Sequence, residues 1–135
     1  MFFKENVELH EYRIHKYIHN LDIVNIPRPI SYDKEKKQFT MQKIQNMCVA
    51  DFYGEDAKNV PIELFEKIRL TIATLFEHNI MYPDITGYNF IEFGPRVYIV
   101  DFGHAYFRHR FEDKMKEEFI LKFIEGANQW NPDFA

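Results

Sequence analysis

Asp84, Asn89 and Asp101 are three metal-friendly side chains set on the hydrophobic background of MYPDITGYNFIEFGPRVYIVDFGHAYF, residues 81–107. Carboxylate and amide oxygens suit hard cations such as Mg²⁺, which keeps several waters and takes one or two protein carboxylates. Asp101, followed by Phe102 and Gly103, can hold such an ion, because glycine lets the backbone turn sharply after a strand. Asn89 offers a neutral oxygen to the same ion or to a second one. Asp84, five residues before Asn89, can orient an attacking hydroxyl or accept its proton. Phosphoryl transfer chiefly needs positioning and charge neutralisation, so the three together suit that reaction. The opposing reading is ordinary turn chemistry, in which an aspartate merely finishes a strand. A further acid, Glu11, falls on the apolar stripe of Val7, Ile14, Ile18 and Leu21. A carboxylate there needs a partner or a wet edge, since burying it unpaired is costly.

The elements that must position these groups follow from periodicity and punctuation. Helical spacing predicts a helix over 5–21, broken by the two prolines of NIPRPI. RPISYD and QFTMQKI read as two strands joined by the charged turn KEKK. Pro61 suits the first turn of a second helix, PIELFEKIRLTIATLFEHN, with Ile62, Phe65, Ile68, Ile72, Leu75 and Phe76 inward. YNFIEF and RVYIVDF form a hairpin around Gly94-Pro95. The Asp84 loop precedes that hairpin and Asp101 lies at its exit, so the topology brings Asn89 and Asp101 together beside Asp84. A third helix, FEDKMKEEFILKFIEG, places Met115, Phe119, Ile120, Phe123 and Ile124 inward and stops at Gly126. The tail NQWNPDFA is irregular, with Trp130 anchoring it on that helix. His10, His15 and His19 read as a solvated helix face, because an i, i+4 pair without a third ligand makes a poor metal site. His104 borders the site and is read as packing there.

The bulk numbers narrow the class. A chain of 135 residues, 46% hydrophobic and with 14 Phe, can fill the core of a single domain. A formal charge of −4 gives no basic field for nucleic acid. The single cysteine, Cys48, excludes an intrachain disulfide and a cysteine-based zinc cluster. MFFKENVELH carries early charges and no apolar run, unlike a secretion signal, and no window approaches a membrane span. A soluble chain in the cytoplasm is expected.

At this point the residues resemble the protein kinase-like superfamily. YPDITGYNF resembles the catalytic loop H-R-D-x-x-x-x-N, with Asp84 and Asn89 at the matching positions, and VYIVDFG resembles the D-F-G strand. EYRIHKYIHNLDIVNIPRPISY is similar to the helix bearing the family's glutamate, which places that role on Glu11. FTMQKI resembles the strand leading to the hinge. The resemblance covers roughly residues 5–107 in the right order. It implies an α+β fold with a mainly helical C-lobe carrying short β-hairpins, and an N-lobe reduced to the Glu-bearing helix and two strands. The single truncated domain over 1–135 would divide into an N-lobe remnant, 1–45, and a reduced C-lobe, 46–135. The implied catalytic residues are Asp84, Asn89 and Asp101. Asp101, Asn89, Glu11, Phe102 and Gly103 would contact ATP, with Mg²⁺ on Asn89 and Asp101.

The departures matter as much. Only ten residues precede Glu11, and G-x-G-x-x-G is absent. Lys4, the lone upstream lysine, is expected at the helix entry and not on a strand, so the phosphate-clamping half of the site is expected to be missing. Pro83 stands for the arginine before the catalytic aspartate, and Thr86 for a lysine common in kinases acting on serine or threonine. Tyr82 replaces the histidine and can still pack on Phe102. After Gly103 only 32 residues remain, without A-P-E, which looks more like atypical or small-molecule kinases.

Two readings stand level: a weak or conditional ATP- and Mg²⁺-dependent phosphotransferase, of Ser/Thr or atypical type, and a catalytically inactive pseudokinase acting as a binding or regulatory module. The second expects a protein partner that completes the nucleotide site or sets a lysine opposite Glu11. A two-carboxylate metal hydrolase and an inert relic remain open beside them. The Lys, Asn, Ile and Phe usage resembles proteins of large DNA viruses, which implies host cytoplasm.

Overall fold

The computed structural model describes residues 1–108, 114–126 and 128–133. Its first element is one that periodicity does not announce. Phe2–Lys4 is strand β1, paired antiparallel with Gln38–Met41, strand β3. Asn6, at φ 57°, turns the chain out of β1, a left-handed conformation that asparagine tolerates better than most residues. Helix α1 then runs Leu9–Leu21 and does not start at residue 5. Strand β2 (Pro29–Asp33) pairs with the other edge of β3, giving the order β1-β3-β2. The small sheet therefore has three strands where two were expected. KEKK is the turn between β2 and β3, and Asp33 Oδ1 accepts the N–H groups of Glu35 and Lys36 at 3.0 and 3.1 Å.

Helix α1 lies on this sheet over a minor core of Val7, Phe39 and Met41, with Tyr12 and Tyr32 against it. Ile14 and Ile18 are buried as the stripe predicts, but Leu21 is exposed because Asp22, at φ 55°, ends the helix there. The solvated histidine face is corrected as well. His15 is buried, and His10 Nε2 bonds Ala105 O at 2.5 Å, tying α1 to the chain beyond Gly103.

Behind the sheet stands the main core, organised by helix α3 (Ile62–Glu77). Phe65, Ile68, Ile72 and Leu75 are buried with Leu64, whereas Ile62, in the first turn ahead of the stripe, is exposed. A short helix, α2 (Val49–Tyr53), went unpredicted because five residues establish no period. It packs closely on the Asp84 loop, since a Cβ at Gly87 would lie 3.0 Å from Ala50 Cβ.

Strand β4 (Ile80–Met81) leads into that loop, and the hairpin β5 (Phe90–Phe93) and β6 (Arg96–Ile99) follows it. Gly94, at φ 59°, supplies the hairpin turn. Strand β7 (Tyr106–Phe107) pairs back onto β4, returning the chain after Asp101 to the start of the Asp84 loop. Helix α4 (Lys114–Glu125) packs on α3 through buried Ile120 and Phe123, with Phe119 and Ile124 partly buried beside them. The inward position expected of Met115, and the helical reading of 111–113, lie outside the described residues. Trp130, expected to anchor the tail on α4, meets Phe65 of α3 at 5.0 Å and stacks on Phe90 of β5 at 6.3 Å. The molecule is a small α+β fold, and among the described residues no helix is long and apolar enough to cross a membrane.

Candidate functional site

The loop after β4 has no strand partner, so its buried backbone needs other donors. Ile85 N–H bonds Pro83 O at 2.8 Å, and Thr86 N–H bonds Asp84 O at 3.1 Å. Asn89 Nδ2 bonds the same Asp84 carbonyl at 2.9 Å, which directs the amide oxygen of this buried side chain elsewhere. Val100 N–H donates to Asn89 O at 3.0 Å. These bonds bring Asp84, Asn89 and the strand exit before Asp101 to one place.

Asp101 is held at φ 64°. Aspartate tolerates the left-handed region, and backbone strain of this kind collects at functional sites. Its Oδ1 accepts the Gly103 N–H at 3.2 Å and lies 3.3 Å from Lys4 Nζ.

Lys4 is the residue that sequence reasoning misplaced. On β1, opposite Phe39, it points its ammonium at Glu11, with Nζ 2.6 Å from Oε2. The Glu11 side chain is only 9% exposed, so an unpaired charge there would be strongly destabilising. The expectation of a partner's lysine opposite Glu11 is thereby corrected: the pairing cation comes from this chain. Burial alone would lower the Lys4 pKa, but the bond to Glu11 and the charge of Asp101 outweigh it and leave the pKa raised. Lys4 is therefore cationic at neutral pH.

Gly103 permits this crowding. A Cβ there would stand 3.2 Å from Glu11 Oε1 and 3.4 Å from Asp101 Oδ1. The Glu11 carboxylate, bonded to Lys4 through its other oxygen, would have to give by a few tenths of an ångström. Gly103→Ala is expected to lower stability by roughly 1 kcal/mol, the low end for overpacking; urea unfolding checks it, and an unchanged midpoint would show that Glu11 can move.

Phe102 is fully buried in a column of rings. Tyr82 meets it edge-on at 5.2 Å, so the aromatic packing expected of Tyr82 is present. On the other side His15 lies 5.4 Å from Phe102 and 4.9 Å from Phe39. Tyr82 OH donates to Val100 O at 2.5 Å. Burial, then the charges of Asp101, Asp84 and Glu11, raise its phenol pKa well above the ordinary value, so the hydroxyl stays a donor. His15 Nε2 donates to Pro27 O at 2.7 Å, and burial lowers the imidazole pKa to about 4. His104 does more than pack: its Nδ1 lies 3.2 Å from Asp84 Oδ2, a contact to a carboxylate that places the proton on Nδ1.

Beside Lys4 and Asp101 opens a cavity of ≈ 360 Å³. Its walls include Phe2, Met41, Ile44 and Ile91, while Lys4, Asn89 and Asp101 form a polar end. Apolar walls with a few convergent polar groups are the common form of a small-molecule site. Phe2 and β1 complete it, and three residues carry no periodic signal by which they could have been found.

No family model matches the chain. It is 25% identical over 112 residues to the EKC/KEOPS complex subunit BUD32 of Encephalitozoon cuniculi, an alignment covering 83% of this chain and 55% of that protein. It is 31% identical over 87 residues to the "Probable serine/threonine-protein kinase BUD32 homolog" of Archaeoglobus fulgidus, covering 64% of this chain and 41% of that one. A third relative is the "Probable bifunctional tRNA threonylcarbamoyladenosine biosynthesis protein" of Methanosarcina acetivorans, 30% identical over 96 residues, 71% of this chain and 16% of that protein. The relatives are thus BUD32-type, kinase-like proteins at low identity, and the chain spans about half the length of the first of them.

Proposed function

We propose that this chain is an ATP- and Mg²⁺-dependent phosphotransferase of the atypical, BUD32-like kind. The observation that carries the reading is the Lys4 ammonium, held between Glu11 and Asp101 at the polar end of an apolar-walled cavity. The reading therefore does not depend on a lysine from a partner. The donor set also fits the ion. Asp101 supplies one carboxylate and Asn89 one amide oxygen, which matches the few protein ligands Mg²⁺ takes.

In this mechanism the apolar walls hold the nucleotide base and Lys4 neutralises phosphate charge. Glu11 keeps Lys4 extended toward the cleft. Asn89 and Asp101 would hold Mg²⁺, which when bound neutralises phosphate oxygens. Asp84 accepts the proton of the acceptor hydroxyl, and His104 Nδ1–H holds Oδ2 of that carboxylate in a fixed direction. By analogy with the named complex of its relative, the chain is proposed to act within a protein assembly serving tRNA threonylcarbamoyladenosine synthesis. Its formal charge of −4 favours protein contacts over a direct grip on RNA.

A second reading, a non-catalytic binding module, draws on Thr86 in place of a lysine. One experiment separates the two. Mg-ATP is expected to raise the melting temperature of the wild type. A ligand at a hundredfold its Kd contributes about 2.7 kcal/mol. Chelating Mg²⁺, or the substitution Asp101→Asn, is expected to remove that rise. A wild type indifferent to millimolar Mg-ATP would transfer the case to the binding module.

A further inference from the structure

The last described segment reaches back to the loop that carries Asp84. Asn131 is buried, at 6% exposure, and lies 48 residues after Pro83. Its side-chain Nδ2 donates to Pro83 O at 2.7 Å, and its backbone N–H donates to Ile85 O at 2.9 Å. Those two carbonyls flank Asp84, so a single residue grips the loop on both sides of the carboxylate. The Asp84 carbonyl between them is taken by Asn89 and Thr86. Three consecutive carbonyls are thus engaged, and the peptide planes that aim the Asp84 side chain cannot rotate without breaking one of these bonds.

The grip is itself held from three directions. Asn131 Oδ1 accepts the Asp133 N–H at 3.1 Å, which turns Nδ2 toward the loop. Trp130 is wedged against Phe65 and Phe90. Arg69 Nη2 donates to Asn128 Oδ1 at 2.7 Å, fastening the segment to α3. An apolar side chain at 131 would fill the space yet leave the buried Pro83 carbonyl without this donor.

We infer that Asn131 is a positioning residue for Asp84, fixing through the two neighbouring peptide groups the backbone from which the carboxylate reaches His104. The catalytic consequence rests on the phosphotransfer reading above; the grip on the loop does not. In the full chain, Asn131→Asp keeps the size and the backbone N–H but replaces the Nδ2 donor with an oxygen, and Asn131→Ala removes the group without adding charge.

Hydrogen exchange is expected to quicken at least about tenfold at the Ile85, Thr86 and Asn89 amides and to stay unchanged in α3, the pattern of local opening. Turnover is expected to fall on the order of 10²-fold, as for a displacement of about 1 Å at a reacting group, with the KM for Mg-ATP little altered. Unchanged exchange at those amides in both variants overturns the assignment. So does uniform acceleration through α3 and the β5–β6 hairpin, which would make Asn131 a general anchor. A raised KM with intact turnover overturns it too. If the wild type transfers no phosphoryl group, the proposed function falls, and the exchange pattern alone decides whether Asn131 holds the loop.

Discussion

Replacing Lys4 with methionine is expected to lower the unfolding free energy by roughly 3 kcal/mol, the low end for breaking a buried ion pair. The low end applies because the Lys4 side chain keeps 29% exposure and its solvation offsets part of the loss. What remains after the substitution is the Glu11 carboxylate, buried on the stripe that faces the core, with its 2.6 Å partner gone. Lys4→Met combined with Glu11→Leu is expected to recover most of the stability, since an apolar pair often replaces a buried ionic one at little cost. Neither the single nor the double variant is expected to show the Mg-ATP melting shift.

Chemical unfolding of the wild type, both single variants and the double variant completes the cycle. Additive effects would mean that Lys4 and Glu11 do not depend on each other. Retention of the nucleotide shift in the stable double variant would remove Lys4 from the proposed phosphate contacts. Glu11 also no longer needs a partner protein, so Glu11→Gln is not expected to dissolve a complex merely by freeing a foreign lysine.

Acidification is expected to destabilise the protein through His15 by roughly 3 kcal/mol between pH 6.5 and about 4. The sign follows from which state binds the proton. In the folded chain the imidazole pKa is lowered to about 4 by burial, while the unfolded chain titrates near 6.5. Within that window the unfolded state takes up a proton that the folded state refuses, so stability falls with falling pH. Below the window both states are protonated and this group adds no further slope. Above it both are neutral, and the ring sits between Phe39 and Phe102 with Nε2–H on Pro27 O.

His15→Gln keeps a donor in the site without a charge that titrates there. Urea unfolding of both proteins across the window is expected to give a steep curve for the wild type and a shallower one for the variant. Parallel curves would assign the acid sensitivity to other groups. Because His15 touches Phe102, acid is also expected to loosen the ring column that supports Asp101.

Much of the frame was legible in the residues themselves. Sixteen residues of α3 repeat their apolar positions often enough for the 3.6-residue period to stand out, and the β5–β6 hairpin is marked by Gly94-Pro95 between two β-rich runs. The candidate site residues were equally visible, because Asp84, Asn89 and Asp101 stand in an apolar stretch where a polar group needs a reason. Ends of elements were less visible. Leu21 and Ile62 belong to apolar patterns, yet a left-handed Asp22 and a first-turn position leave them exposed.

What the sequence by itself determined is local: which segments coil, where the chain turns, and which oxygens stand near the hairpin. What only the tertiary structure decided is who meets whom across the chain. Strand β1 is three residues long and exists through its pairing with β3, so no pattern within it could disclose that Lys4 faces Glu11 and Asp101. Asn131 likewise reads as a tail residue until its two bonds around Asp84 are seen. The physical reason is common to both. A periodic signal records the repeated choice of one face, whereas a single ion pair or hydrogen bond records one long-range approach, set by the packing of every element between its partners.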